Sequence, residues 1–277
     1  MKATRPARRP AFTLVEMLVV ILIMSILVTL VTLGVTRAMR YASEVGTKTE
    51  MAQIEQALGV AALDLGRVSY IPSYLILKND FSTYNAADPW EAMSKRLLMQ
   101  MFNLPANANI PWHPSGGAVL KGDQAFVFIL GGVPDTSAKN VLGFAKGANP
   151  MASGGGNRKG PYFNFKPERL VDGGNGFFKY MDNWNNAGAF LVAYSSQMVG
   201  GAVNTNPDLA GPPRMAKSVS GSGQLYMPKG YQIFSAGKDG KWGSYSATVA
   251  FNGLLQGDGE DDQCNFSESP LGKPIND

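Results

Sequence analysis

The sequence predicts an α+β chain in which one long N-terminal helix precedes a loop-rich region of short strands. Three observations lead there. Phe12 to Val35 is an almost unbroken apolar run. A three- and four-residue spacing of apolar and small positions then continues to about Leu65, which is the helical period. Beyond it, apolar runs of strand length are separated by turns, in a chain with 32 glycines and 17 prolines among 277 residues.

Each part of the chain bears this out in turn. Apolar residues make up 45% of the sequence, enough to bury a core. The single cysteine, Cys264, excludes an internal disulfide framework and any multi-cysteine zinc site. The single histidine, His113, excludes zinc sites with two or more histidines and leaves a hydrolytic triad only one base. It lies in Pro-Trp-His-Pro-Ser-Gly-Gly with no neighbouring Cys, Asp or Glu, so it reads as a loop residue. The formal charge of +4 lies wholly in the first eleven residues, as Lys2, Arg5, Arg8 and Arg9. Removing those four from 25 basic residues leaves 21, against 21 acidic ones. The body of the chain therefore offers no net positive charge to a nucleic acid.

Phe12–Val35 has 18 apolar residues out of 24, and Glu16 is its only charge. As a helix it would be roughly 36 Å long, enough for a hydrocarbon core of about 30 Å. The basic residues before it place the N-terminus in the cytoplasm and the remainder outside. A secretory signal peptide has a shorter apolar core and a small-x-small cleavage site, and no Ala-x-Ala follows here. A plain anchor fits the length but leaves Glu16 unexplained, since a charge at a helix centre costs roughly 2.5–3.5 kcal/mol on insertion scales and less near the end.

The string Pro10-Ala11-Phe12-Thr13-Leu14-Val15-Glu16-Met17-Leu18 resembles the prepilin processing motif of type IV pilins and type II secretion pseudopilins. The resemblance covers about 25 residues: a basic leader, Phe-Thr-Leu-x-Glu and an uninterrupted apolar run. It implies cleavage by a prepilin peptidase between Ala11 and Phe12, with alanine where the family usually has glycine, and methylation of the new amine on Phe12. It also implies that Glu16, fifth in the mature chain, sets register in assembly. The physics agrees, because a subunit's Phe12 ammonium and a neighbour's Glu16 carboxylate have opposite charge in low dielectric. Glu16 also falls in the first helical turn, where a negative charge suits the dipole.

Past Val35, Ala38, Ala42, Val45, Ala52, Ile54, Leu58, Ala61 and Leu65 keep the helical spacing, with Arg37, Arg40, Glu44, Lys48, Glu50 and Glu55 filling the gaps. Helix from Phe12 to Leu65 would run roughly 80 Å. Gly34, Gly46 and Gly59 are points of bending, and Gly66 is a C-cap. A coiled coil is disfavoured by the lack of strict heptads. The expected organisation is a leader over 1–11, a transmembrane half-helix over 12–35, an amphipathic half over 36–66 and a globular α+β domain over 67–277. The resemblance adds that the helix packs on an antiparallel β-sheet with extended loops, as in pilins.

In the globular part, Pro72 and the polar run 78–88 read as loop, and Glu91–Phe102 as a short helix with Met and Leu in the core. Residues 103–122 read as a connection. Asp123–Gly132 reads as a buried strand ending in a Gly-Gly turn. Ala189–Ser195 and Tyr231–Ser235 read as strands, and 200–224 as a long loop. Gly154–Gly160 lacks the order of a phosphate-binding loop and reads as a turn. The succession Leu130-Gly131-Gly132, Gly160-Pro161-Tyr162-Phe163 and Tyr180-Met181-Asp182-Asn183-Trp184 resembles large pseudopilin-type proteins.

Ser235-Ala236-Gly237-Lys238-Asp239-Gly240 is similar to the last strand and loop of major pseudopilins, which bind calcium together with a later acidic cluster. Here that cluster is Asp258-Gly259-Glu260-Asp261-Asp262, ahead of Asn265-Phe266. The resemblance implies calcium held by the Ala236 carbonyl and Asp239 from one arm, and by Asp262 with Glu260 or Asp261 from the other. The oxygen-rich donor set is of the kind that cation takes. The arms stand about twenty residues apart, more than in the compact family loop.

The whole reads as a non-enzymatic, single-pass protein of the cytoplasmic membrane with its C-terminal domain outside. It is expected to be extracted into a type II secretion pseudopilus or related type IV pilus-like filament. Its expected partners are the prepilin peptidase, other pilin or pseudopilin subunits, an assembly platform with its motor, and the inner membrane. An adhesion or DNA-uptake pilin and a membrane-anchored enzyme are the alternatives. The first would want a basic, aromatic exposed patch, and the second a catalytic constellation that the sequence does not offer.

Overall fold

The computed structural model describes residues 13–184, 188–194, 198–199, 202–203, 216–217, 227, 229–243, 250–251, 257–267 and 270–272. Ala11 and Phe12 lie outside the described residues, as does most of 200–224. The chain divides into two compact units, Met1–Val45 and Gly46–Asp277, with the boundary inside helix α1 (Leu14–Asp64). The fold is α+β, as the sequence predicts, with a long apolar N-terminal helix and small, mostly antiparallel sheets.

In the first unit every described side chain from Thr13 to Ala42 is exposed. The helix is long and apolar enough to cross a membrane. Its hydroxyls are satisfied within the helix. Ser25 donates to the Leu22 carbonyl, Thr29 to Ser25, Thr32 to Val28 and Thr36 to Leu33, at 2.8–3.1 Å. A polar side chain that bonds its own backbone sheds most of the penalty of an apolar surrounding.

In the second unit, the helical stretch from Gly46 buries Thr47, Glu50, Met51, Ile54, Ala57, Leu58, Ala61 and Ala62, a stripe with three- and four-residue steps. The helix stops where Gly66 takes φ +74°, with a Cβ there only 2.1 Å from the Gln100 carbonyl oxygen. Only glycine suits both demands. Lys159 donates to the Asp64 carbonyl (2.7 Å), and the Tyr162 hydroxyl to the Asp64 carboxylate (2.6 Å).

Helix α2 (Pro89–Phe102) begins two residues before the predicted start. The Asp88 carboxylate accepts from the amides of Trp90 and Glu91, and Pro89 fills the first turn. Asn103 closes it in the left-handed conformation, its N–H donating to the Met99 carbonyl. The strand Leu75–Lys78, which the sequence reading leaves unassigned, pairs antiparallel with Gly117–Leu120.

The segment read as a buried strand over 123–132 is instead helix α3 (Gly122–Gly131). All its residues but Asp123 are buried, so its apolar run has no polar face to reveal a period. A continuous apolar stretch of this length does not distinguish a strand from an enclosed helix. The element ends at Gly131-Gly132, where the sequence predicts its stop. Gly132 has φ +82°, and a Cβ on it would lie 2.2 Å from the Gly143 carbonyl carbon.

Tyr231–Ser235 is the central strand of a three-stranded antiparallel sheet, between Leu191–Tyr194 and Gln263–Cys264. All five of its residues are buried. The other strand pairs are short and two-stranded, and all but one are antiparallel. The core is rich in aromatic pairs. Phe128 meets Trp112, Phe144 and Phe177 edge to face, and Tyr180 meets Phe163 and Phe165 in the same way.

Candidate functional site

At the N-terminus, Thr13 and Glu16 cap the helix reciprocally. The Thr13 amide and hydroxyl both donate to Glu16 Oε2 (2.8 and 2.9 Å), and the Glu16 amide donates to Thr13 Oγ1 (3.2 Å). This is a capping box, and its signature, Thr-x-x-Glu before an apolar run, stands openly in the sequence. The carboxylate is exposed and thus reachable by a neighbouring group.

Besides Asp64, the side chains of Glu50, Lys48 and Glu55 tie the helical stretch after Gly46 to the rest of the second unit. The Glu50 carboxylate takes both Arg169 guanidinium nitrogens (2.8 and 2.7 Å) and the Tyr180 hydroxyl (2.9 Å). Arg169 also donates to the Met181 carbonyl, and its guanidinium lies 4.4 Å from the Tyr180 ring centroid. Burial, with Glu50 beside it, pushes the Tyr180 hydroxyl well above the usual tyrosine range. Lys48 Nζ donates to the carbonyls of Cys264 and Ser267, and Glu55 accepts from Asn265. The sequence assigns Lys48, Glu50 and Glu55 no more than the gaps between apolar positions; in the structure all three grip the domain. Glu50 was detectable, because it falls on the buried stripe with Met51 and Ile54.

The C-terminal arms predicted to hold calcium do come together. Asp261 Oδ2 accepts from the amides of Lys238 (2.6 Å) and Asp239 (3.0 Å), and Asp262 Oδ2 from the Gly243 amide (3.2 Å). Gly237, at φ +66°, allows this closeness; a Cβ would lie 2.1 Å from the Asp261 carbonyl oxygen. Burial raises the Asp261 pKa, and the charge of Asp239 adds to it. Ala236 and Asp262 are buried, while Asp239 and Glu260 are exposed. Asp239 accepts from the Lys241 amide, and Glu260 from the Gly257 amide. The donor chemistry suits a hard cation. The carboxylates, however, are turned to backbone amides. Among the described residues no three His, Cys, Asp or Glu side chains are grouped to hold a metal ion.

A buried carboxylate that the sequence reading used only as part of a motif lies close to this loop. Asp182 accepts from the Ser235 hydroxyl (2.6 Å) and the Trp184 amide (3.1 Å), and burial raises its pKa. A Cβ on Gly188 would sit 3.1 Å from Asp182 Oδ2 and 3.3 Å from Ala236 Cβ. His113 accepts from the Ser115 amide and stacks on Phe177, as a loop residue does. Arg158, in the glycine-rich turn, donates to the carbonyls of Leu142, Gly143 and Ala152. It is a strut for its own loop.

A family model described as the prokaryotic N-terminal methylation motif matches residues 7–32. No curated protein and no solved structure matches the chain significantly.

Proposed function

We propose that this chain, pilin-type at its N-terminus, is a structural subunit of a type II secretion pseudopilus or a related type IV pilus-like filament. The observation that carries the reading is the motif around Glu16 at the head of an exposed apolar helix. In it, a prepilin peptidase cuts after Ala11 and methylates Phe12. The chain waits in the inner membrane with its second unit outside the cytoplasm. Other subunits, the assembly platform and its motor then draw it into the filament. Glu16 leaves Thr13 for a neighbour's Phe12 ammonium, exchanging a hydrogen-bonded cap for an ion pair of the same helix end. The role is packing, and no catalytic step is assigned to it.

Calcium belongs to this proposal for the C-terminal loop. To bind it, Asp261 would give up the Lys238 and Asp239 amides and face the cation with Asp239, Asp262 and the Ala236 carbonyl, taking the place in the second arm that the resemblance leaves open between it and Glu260. The support is the juxtaposition of the two arms and the raised Asp261 pKa, which a cation would reverse.

Mass spectrometry of the N-terminus of the membrane-extracted protein tests the central reading. An N-methylated Phe12 is expected. An intact Met1, or cleavage after residue 35, would sink it.

A further inference from the structure

Helix α2 turns Met93, Ser94, Leu97, Leu98 and Met101 into the core. Its other side, with Ala92, Lys95, Arg96 and Met99, lines a groove of about 540 Å³ that Tyr84 and Leu104 help to close. The Tyr84 hydroxyl is committed elsewhere, donating to the Ile76 carbonyl and accepting from the Lys78 amide, so the residue gives the groove mainly ring surface. The floor is apolar and the rim is cationic. Neither rim cation belongs to an ion pair among the described residues, where the pairs are Lys78–Glu91, Arg169–Glu50 and Lys179–Asp123. Lys95, half-buried, lies within the longer-range field of Asp80, and Arg96 is exposed.

The complementary surface is on the same chain. The turn Gly257–Gly259 and the following Glu260 expose Asp258 and Glu260. Glu260 also accepts from the Gly257 amide within the turn (3.3 Å), while Asp261 and Asp262 accept from amides outside it. Neither Asp258 nor Glu260 has a cation partner among the described residues. Gly257 is exposed, and a Cβ there would meet open space. With the leader removed the chain is formally neutral, 21 basic against 21 acidic residues, so two copies feel local attraction rather than overall repulsion.

We propose that the α2 groove receives the acidic turn 257–260 of a second copy of this chain, with Lys95 and Arg96 against Asp258 and Glu260. The contact joins two different patches, so it is head-to-tail. Such a contact closes into a ring or propagates along a screw axis according to its rotation, and in a filament it takes the second course. It rests on the filament reading and adds which surfaces of the outer domains meet.

Charge exchange in the full-length chain, expressed in cells with its assembly machinery, tests it. The readout is sheared or cross-linked filament per processed subunit. Lys95→Glu with Arg96→Glu is expected to lower assembly by at least about tenfold, since like charges are then juxtaposed. Asp258→Lys with Glu260→Lys is expected to do the same. Combining all four is expected to restore at least half of the wild-type level, a recovery that misfolding of either pair would not permit. Wild-type assembly with no loss in either pair overturns the contact and leaves the filament reading standing. Loss in the cation pair alone also overturns it and assigns the groove to another subunit's acids. A wild-type chain that is processed but never assembles overturns both.

Discussion

Glu50 and Arg169, 119 residues apart, form a two-pronged ion pair with side chains only 10% and 12% exposed. The Tyr180 hydroxyl completes the Glu50 carboxylate, and the Met181 carbonyl takes up further guanidinium hydrogens. The pair is therefore hydrogen-bonded on both sides, the condition under which a buried ion pair holds its place.

Removing one partner leaves the other charged and buried. Glu50→Leu is expected to destabilise the detergent-solubilised chain by about 3–5 kcal/mol, and Arg169→Met by a similar amount. The double variant Glu50→Leu/Arg169→Met should recover most of that loss. Denaturant unfolding of the four chains reads it out. Simple additivity of the two single losses would show that the pair is not coupled.

Glu16→Leu is expected to insert in the membrane and be processed, since it makes the segment more apolar. It should fail to assemble. Thr13→Ala removes only the cap's hydroxyl, so it should assemble with a modest loss. Membrane fractionation and filament yield measure both. Normal filaments from Glu16→Leu would refute the register role.

Lys48 pins Cys264 and Ser267 by their carbonyls, and burial pushes the Cys264 thiol up to about 12. At pH 8 the native thiol should resist alkylation, because little thiolate exists and access is closed. Lys48→Met should raise the alkylation rate at least about tenfold by releasing the segment. Equal rates would mean that the segment is held by other contacts.

Calcium at millimolar concentration is expected to raise the melting temperature of the detergent-solubilised chain, and Asp261→Asn to abolish the shift. Magnesium, with its stricter octahedral demand, should do less. No shift with calcium would leave Asp261 as a backbone clasp only.

The Asp182 pKa is raised by burial, so the folded state holds its proton more tightly than the unfolded chain. Its contribution to stability is full below the unfolded value near 3.8 and is lost as pH rises through the higher folded value. Acidification from pH 7 toward 4 should thus favour the wild type over Asp182→Asn. Melting curves across that range check the sign, and a constant gap between the two chains would contradict it.

The parts of this fold that were legible in the sequence are those in which one local signal governs. The apolar run and its small-residue continuation define α1, and the short run Tyr231–Ser235 between Gly230 and Gly237 reads as a strand. Gly66 announced the helix end. Helix α3 was misread because a fully enclosed element shows no polar face. The anchoring set was missed for a different reason. Lys48 and Glu55 look like solvent-facing residues until the chain brings Cys264 and Asn265 to them, and Glu50, though on the buried stripe, meets Arg169 only from 119 positions away. The Thr13–Glu16 cap was readable throughout, since both members lie within one turn.

The hydroxyls of Ser25, Thr29, Thr32 and Thr36 already spend their protons on their own helix. Such a segment carries its solvation with it. Passing from lipid to a surrounding of other helices would form and break no hydrogen bond along that stretch. The transfer is then decided by apolar contact alone, which is nearly the same on both sides, so the helix can change neighbours without first being stripped of anything.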